Sequence, residues 1–252
     1  MSERELNDLQ SADAYRWAVY FSPAPQSPWA CAGARWLGRD VDGGACDCTP
    51  CIPGWSAEAC SRVTAEPRRY GWHGTLRAPW RLAPKFGAND LLGALQSLAA
   101  EFAPFDLPRL RLGDLGGFLA LQPVQPCATL QALAAACVVR LQPMAAPLTV
   151  AERGRYAVRG LSERQQALLR DWGYPYVHEE FRFHLTLTDR LEGLSGSEQL
   201  ELRTAAAAVF ESLPQPLHFD ALSLFAQPQP GAALRRIARV ALRGGAGSQT
   251  RP

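Results

Sequence analysis

Apolar and polar positions alternate along this chain at two periods, one near 3.6 and one of 2, and the changes between them mark its elements. Tyr15 to Pro23, YRWAVYFSP, is rich in aromatic and β-branched residues and is ended by proline, which predicts a first strand. Small and apolar residues at helical spacing from Trp29 to Leu37 predict a helix stopping at Gly38. The Gly, Pro and Cys content of Gly43 to Thr64 predicts a loop. A strand YGWHGTLRAPW follows at Tyr70 to Trp80. Asn89 then caps a helix, DLLGALQSLAAEF, which Pro104 closes before two strands, FDLPRLRLGDL and GFLALQPV. Cys127 to Leu141 reads as a buried helix in which only Arg140 is charged. In LSERQQALLRDWG, Ser162 is the cap, Gln165 its capping-box partner and Gly173 the terminator. The strand FRFHLTLTDRL, Phe181 to Leu191, precedes a helix started by Ser195 or Ser197. LHFDALSLFAQ, a turn at PQPG and LRRIARVAL complete the fold, and residues 243–252 read as a disordered tail.

Side by side, these segments form an internal repeat. His73 and His184 each open the same order: histidine strand, helix, strand, turn, strand. His73 to Phe105 is 32 positions and His184 to Leu217 is 33. The expected architecture is α+β: one domain over 1–252 made of two pseudo-symmetric lobes, each with a mainly antiparallel sheet and helices, and a cleft between them. Strand parity sorts the side chains. In the first histidine strand Arg69, Gly71, His73, Thr75 and Arg77 share a face, opposite Tyr70, Trp72, Gly74, Leu76 and Ala78. In the second, Glu180, Arg182, His184, Thr186, Thr188 and Arg190 share a face, opposite Phe181, Phe183, Leu185 and Leu187.

Composition changes this picture little. A hydrophobic fraction of 47% with 20% charge is that of a globular protein, and a net charge of +2 gives no broad basic surface for nucleic acid or membrane, so an anionic partner has to be met by local charge. No signal peptide or membrane-spanning run is read from the sequence, and the expectation is a soluble, cytoplasmic protein, a monomer by default, with no membrane partner. Four of seven cysteines, Cys46, Cys48, Cys51 and Cys60, offer enough ligands for zinc, but a crowded CxCxxC followed by a distant cysteine is not paired-knuckle spacing. The reading preferred is a Gly/Pro-rich surface loop, with a zinc site as its alternative.

Two histidines, their threonines and flanking arginines suit an anion with tetrahedral oxygens. Imidazoles exchange protons near neutral pH, hydroxyls donate to non-bridging oxygens, and guanidinium pairs with phosphate. In-line displacement at phosphorus needs a base on one side and an acid on the other, which two strands facing across a cleft supply without a cofactor. A metal site on His73 and His184 would lack a carboxylate at ligand spacing. His178, beside Glu179 and Glu180, reads as a surface residue, and His218 has no threonine partner.

The paired HGTL and HLTL, with RRYGWHGTLRAPWRL, GGFLALQP and LSERQQALLRDWGYPYV around them, resemble the two-histidine (2H) phosphoesterase superfamily, in the branch encoded beside phosphonate-degradation genes. The resemblance runs over about Tyr15 to Leu242. It implies a bilobal, metal-independent phosphodiesterase acting on cyclic phosphates or phosphodiesters, with His73 and His184 as general acid and base and Thr75 and Thr186 on the phosphoryl oxygens. Strand parity adds Arg77 and Arg182 as phosphate ligands; Tyr70 and Tyr176 are expected apart from parity as wall residues that touch the substrate. The expected substrate is a small phosphorylated metabolite; an RNA end bearing a 2′,3′-cyclic phosphate and a non-catalytic phosphate binder are the alternatives. The near-symmetry leaves the assignment of acid and base open.

Overall fold

The computed structural model describes residues 14–44, 46, 52–158 and 160–245. Nine strands are found among them: β1 (Arg16–Phe21), β2 (Gly74–Trp80), β3 (Phe105–Asp106), β4 (Leu110–Asp114), β5 (Phe118–Pro123), β6 (Leu185–Arg190), β7 (His218–Phe219), β8 (Ala221–Gln227) and β9 (Arg235–Ala241). The helices are α1 (Pro28–Leu37), α2 (Ala57–Arg62), α3 (Ala65–Tyr70), α4 (Ala88–Ala99), α5 (Ala128–Leu141), α6 (Val150–Ala157), α7 (Glu163–Trp172) and α8 (Gly196–Phe210). The fold is α+β.

Local chemistry accounts for most of the boundaries. Ser27, Ser56, Thr149, Ser162 and Ser195 each cap a helix by accepting from a backbone N–H in its first turn, and α1 and α7 end at Gly38 and Gly173. Asn89 is not the cap of α4. That helix is capped two residues earlier, at Gly87, whose N–H donates to Asp90 Oδ2 at 2.8 Å. The loop expected between Gly43 and Thr64 contains α2, and α3 occupies ground assigned to the first histidine strand, so that strand begins only at Gly74. The charged helix α6 lacks a long apolar stripe and was not foreseen. Arg243 and Gly244, expected in the tail, donate to the carbonyls of Ala99 and Phe102 at 3.0 and 2.9 Å; residues after 245 lie outside the described residues.

Seven strands form one sheet in the order β4-β5-β6-β2-β1-β8-β9, with antiparallel pairing throughout. The repeat is present, but its halves are interleaved. The hairpin β4–β5 of the first repeat pairs with β6, the histidine strand of the second. The hairpin β8–β9 of the second lies beside β2, the histidine strand of the first, with β1 between them. Each repeat keeps its histidine strand and gives its hairpin to the other half: α4 packs on β8 and β9, and α8 packs on β4. The crossing links pair with each other as a ribbon, β3 with β7, where Phe105 and Phe219 stack at 4.9 Å.

The two halves of the sheet meet along a narrow seam, where β2 and β6 share the single pair Gly74↔Leu185. One large apolar core runs beneath both halves and includes Trp17, Val19, Phe21, Leu76, Leu185, Leu187 and Phe219. The seam has no spare space on this side. A Cβ on Gly74 would come within 2.4 Å of the Phe183 ring, so only glycine lets that ring cross under the seam.

Gly74→Ala therefore forces ring or strand to move and is expected to lower stability by about 1–3 kcal/mol. Urea unfolding measures it. Adding Phe183→Leu should recover part of the loss, and full stability in the single variant would show that the seam yields.

Candidate active site

Each histidine is the residue immediately before its strand, His73 before β2 and His184 before β6. The pair Gly74↔Leu185 then fixes what stands opposite what. One step to either side in an antiparallel register sets His73 across from Thr186 and Thr75 across from His184. Gly74 and Leu185 point to the core, so the two histidines and two threonines share the other face. Directly opposed residues have Cβ atoms about 4.5–5.5 Å apart and diagonal neighbours about 7–8 Å. The histidines are the diagonal pair.

Both rings are held in the same way. His73 Nδ1 is 2.8 Å from the Gly71 carbonyl, and His184 Nδ1 is 2.7 Å from the Arg182 carbonyl. A carbonyl only accepts, so Nδ1 carries the proton in each neutral ring and Nε2 is the nitrogen that trades protons. His73 Nε2 is 3.2 Å from Thr75 Oγ1. Gly71 has φ of 72°, and a Cβ there would lie 2.9 Å from Val41 Cγ1, so glycine is needed to aim that carbonyl. Arg39 steadies the same turn by donating to the carbonyls of Arg68 and Arg69 at 2.9 and 3.2 Å and to that of Leu234.

The walls differ because β1 is inserted on one side only. Tyr20 of β1 stacks on His73 at 3.9 Å, with Tyr70 at 5.9 Å; on the other side Phe118 of β5 lies 5.8 Å from His184. Burial, with smaller contributions from Tyr70 and Tyr174, raises the Tyr20 pKa well above that of a free phenol. Burial also lowers His73 to about 4, against the pull of the Gly71 hydrogen bond, and His184 lowers it further. His184 is lowered too, by burial opposed by the Arg182 carbonyl.

Strand parity fails four residues after each histidine. β2 carries an extra residue between Thr75 and Arg77 relative to β1, and the β6 register shifts between Thr186 and Arg190 relative to β5. Arg77, expected on the phosphate face, turns into the protein. It is 5% exposed, donates to the Val138 carbonyl at 2.5 Å and to Gln142 Oε1 at 2.9 Å, and stands over the Trp80 ring at 4.4 Å. Burial pulls its pKa down to about 10. Thr188, at the matching place, is buried and accepts from the Leu119 N–H at 2.9 Å.

Arg182 is exposed and donates to the carbonyls of Glu179 and Phe181 at 2.8 and 2.9 Å; its own carbonyl is what reaches His184. Of the two tyrosines expected as wall residues, Tyr70 lies 5.9 Å from His73, and Tyr176 packs on Tyr174 at 5.5 Å. His178, expected at the surface, is half-buried. It packs edge-on to Trp172 at 4.8 Å, with Nε2 buried and unpartnered. His218 is exposed and bonded to Asp106 at 2.7 Å. Cys60 belongs to the apolar core, while Cys48 and Cys51 fall outside the described residues. Sequence reasoning missed Tyr20, Phe118 and Tyr174, because no local signal says which strands will flank the histidines. No helix among the described residues is long and apolar enough to cross a membrane.

A family model described as "Protein of unknown function (DUF1045)" matches residues 75–235, a span holding Thr75, His184 and Thr186. Among curated proteins, the chain is 38% identical over 238 residues to a ribose 1,5-bisphosphate phosphokinase PhnN of Janthinobacterium sp. (strain Marseille), covering 94% of this chain and 52% of that protein. It is 41% identical over 221 residues to the protein of that name from Laribacter hongkongensis (strain HLHK9), covering 87% and 50%. The chain thus spans about half the length of these relatives. Two solved structures are similar in general outline. One is a phosphoesterase, at 16% identity and TM-score 0.40 over 91% of this chain and 99% of that one. The other is E. coli LigT complexed with 3'-AMP, at 15% and 0.37 over 90% and 97%.

The lowered histidine makes stability depend on pH. The unfolded chain takes up the His73 proton near 6.5, but the native protein only near 4, so stability falls as pH drops through that window and is regained as it rises. In urea titrations His73→Gln should flatten the dependence, and the His73 Cε1–H resonance should titrate near pH 4. A midpoint near 6.5 would show that the ring is not desolvated.

Proposed function

The chain belongs to the family described as "Protein of unknown function (DUF1045)", and from that premise we propose that it is a two-histidine phosphoesterase hydrolysing a cyclic phosphate or small phosphodiester of a phosphorylated metabolite. The observation that carries the reading is the diagonal pair of histidines, each with Nδ1 committed to a carbonyl two residues back and each set across from a threonine. That arrangement offers Nε2 on two sides of one phosphoryl-sized gap, with hydroxyls for the non-bridging oxygens.

The unequal walls divide the labour. His73, stacked on Tyr20 and held neutral by burial, is the general base: its Nε2 takes the proton of water as the water oxygen forms a bond to phosphorus. His184, without such a stacked ring, is the general acid: its Nε2–H protonates the ester oxygen as the opposite P–O bond breaks. Thr75 and Thr186 donate to the equatorial oxygens, where charge gathers in the transition state. The reaction leaves His73 protonated and His184 neutral, and proton exchange with solvent resets them. The relatives' printed name supports a small phosphorylated sugar as the kind of substrate. The phosphokinase activity in that name is said of proteins twice as long; the one lysine of this chain, Lys85, follows Pro84, and no Gly-x-x-x-x-Gly-Lys-Ser/Thr phosphate loop occurs in the sequence.

His73→Ala and His184→Ala should each lower turnover of small cyclic phosphates by about two to four powers of ten with the fold intact. A panel of sugar and nucleoside cyclic phosphates, beside an RNA ending in a 2′,3′-cyclic phosphate, measures this; activity within a few-fold of wild type in either variant removes that histidine from the chemistry. Turnover of the RNA alone would move the protein to RNA ends. Thr75→Val and Thr186→Val should each cost about 2–4 kcal/mol of transition-state stabilisation.

The pH profile tests the division of roles. With His73 as base, kcat/KM rises as pH passes about 4; with His184 as acid, it falls as pH passes a value below the ordinary 6.5. In the complex the substrate's negative charge favours protonated His184, so the alkaline limb of kcat should lie at higher pH than that of kcat/KM. Loss of the acid limb in His184→Ala instead of His73→Ala would reverse the assignment.

A further inference from the structure

At the Trp80 end of β2 a cavity of about 400 Å³ is lined by Arg77, Arg81, Arg153 and Arg170, against one acid, Glu152, which Arg81 holds at 3.1 Å. The lining therefore carries a charge of +3 in one place, where the whole chain carries +2. Two donors in the lining have no partner: Arg77 Nε and Trp80 Nε1 are both buried and unbonded, in side chains 5% and 8% exposed. Buried donors are almost always satisfied, and an unmet one in a cationic cavity calls for an acceptor that arrives with a ligand. Arg170 makes no hydrogen bond or ion pair among the described residues, and Arg153 is exposed and spends NH1 on the Leu148 carbonyl.

We propose that this cavity is a second anion-binding subsite, taking a phosphomonoester carried by the substrate at the end remote from the reacting phosphorus. The proposal rests on the reading of the histidine pair as the phosphoester site. Its geometry fits a short linker: Arg77 lies two residues from Thr75 along β2, about 7 Å at strand rise. Tyr174 lines the cavity beside Arg77 and Trp80. A pentose carrying a cyclic phosphate at one end and a phosphomonoester at the other spans such a separation. The strand bulge that takes Arg77 out of the histidine cleft is what delivers it here.

Inorganic phosphate is the first probe, read on the Trp80 indole Nε1–H and Arg77 Nε–H resonances of the full chain. Both should shift saturably, and they should still do so in the double variant His73→Ala/His184→Ala, since that variant spares the cavity. Arg153→Ser/Arg170→Ser should weaken the response about ten-fold or more. With a matched pair of pentose cyclic phosphates, with and without the terminal phosphomonoester, the same arginine variant should lower the kcat/KM ratio between them by about 10- to 100-fold. Silent Trp80 and Arg77 resonances, or a ratio untouched by removing both arginines, overturns the subsite. Failure of the histidine variants to lose turnover overturns the phosphoesterase reading, while the Trp80 response still reports on the cavity.

Discussion

The architecture turns on one backbone pair, Gly74↔Leu185. Because the two halves of the sheet touch only there, that pair sets the register, and the register alone decides that each histidine faces a threonine of the other strand. Shifting either strand by one residue would send its own histidine into the core and bring its apolar side chains to the gap. Two nearby contacts guard against this: Phe183 fills the space that a Cβ at position 74 would need, and Thr188 is tied to the backbone of β5. Chemistry at the seam thus depends on packing on the opposite face of the sheet.

Near-symmetry in sequence becomes asymmetry in environment through β1. Both histidines have the same anchor and the same threonine relation, so their proton chemistry starts out alike. Tyr20 then covers one ring and not the other, and burial lowers His73 to about 4 while also lowering His184. Two rings of one residue type thus receive different surroundings from one inserted strand.

Much of this was legible in the chain because it is local. Capping serines, terminating glycines and period-2 runs mark α1, α7, α8 and most of the strands, and the equal spacing after each histidine reveals the repeat. The partnering of distant segments is not written locally. Nothing in HGTL says that its strand will lie beside Arg16–Phe21, or that FLALQP will pair with LTLTDR, so the exchange of hairpins and the wall residues Tyr20 and Phe118 were out of reach. Parity assigned His73, Thr75, His184 and Thr186 to one face, but it assumes an unbroken pleat, and the bulges removed Arg77 and Thr188 from that face. Arg182 lies before its strand starts, where alternation has no force.

The interleaved hairpins also bear on how the chain is made. β1 is made before the other strands of its sheet, yet one of its two neighbours, β8, is written some two hundred residues later, with Arg16 opposite Gln227. Until then β2 can cover only one side of it, and an apolar strand waits with its other edge open. Neither repeat encloses a complete half-sheet from its own residues, so during synthesis each half waits for strands written in the other repeat.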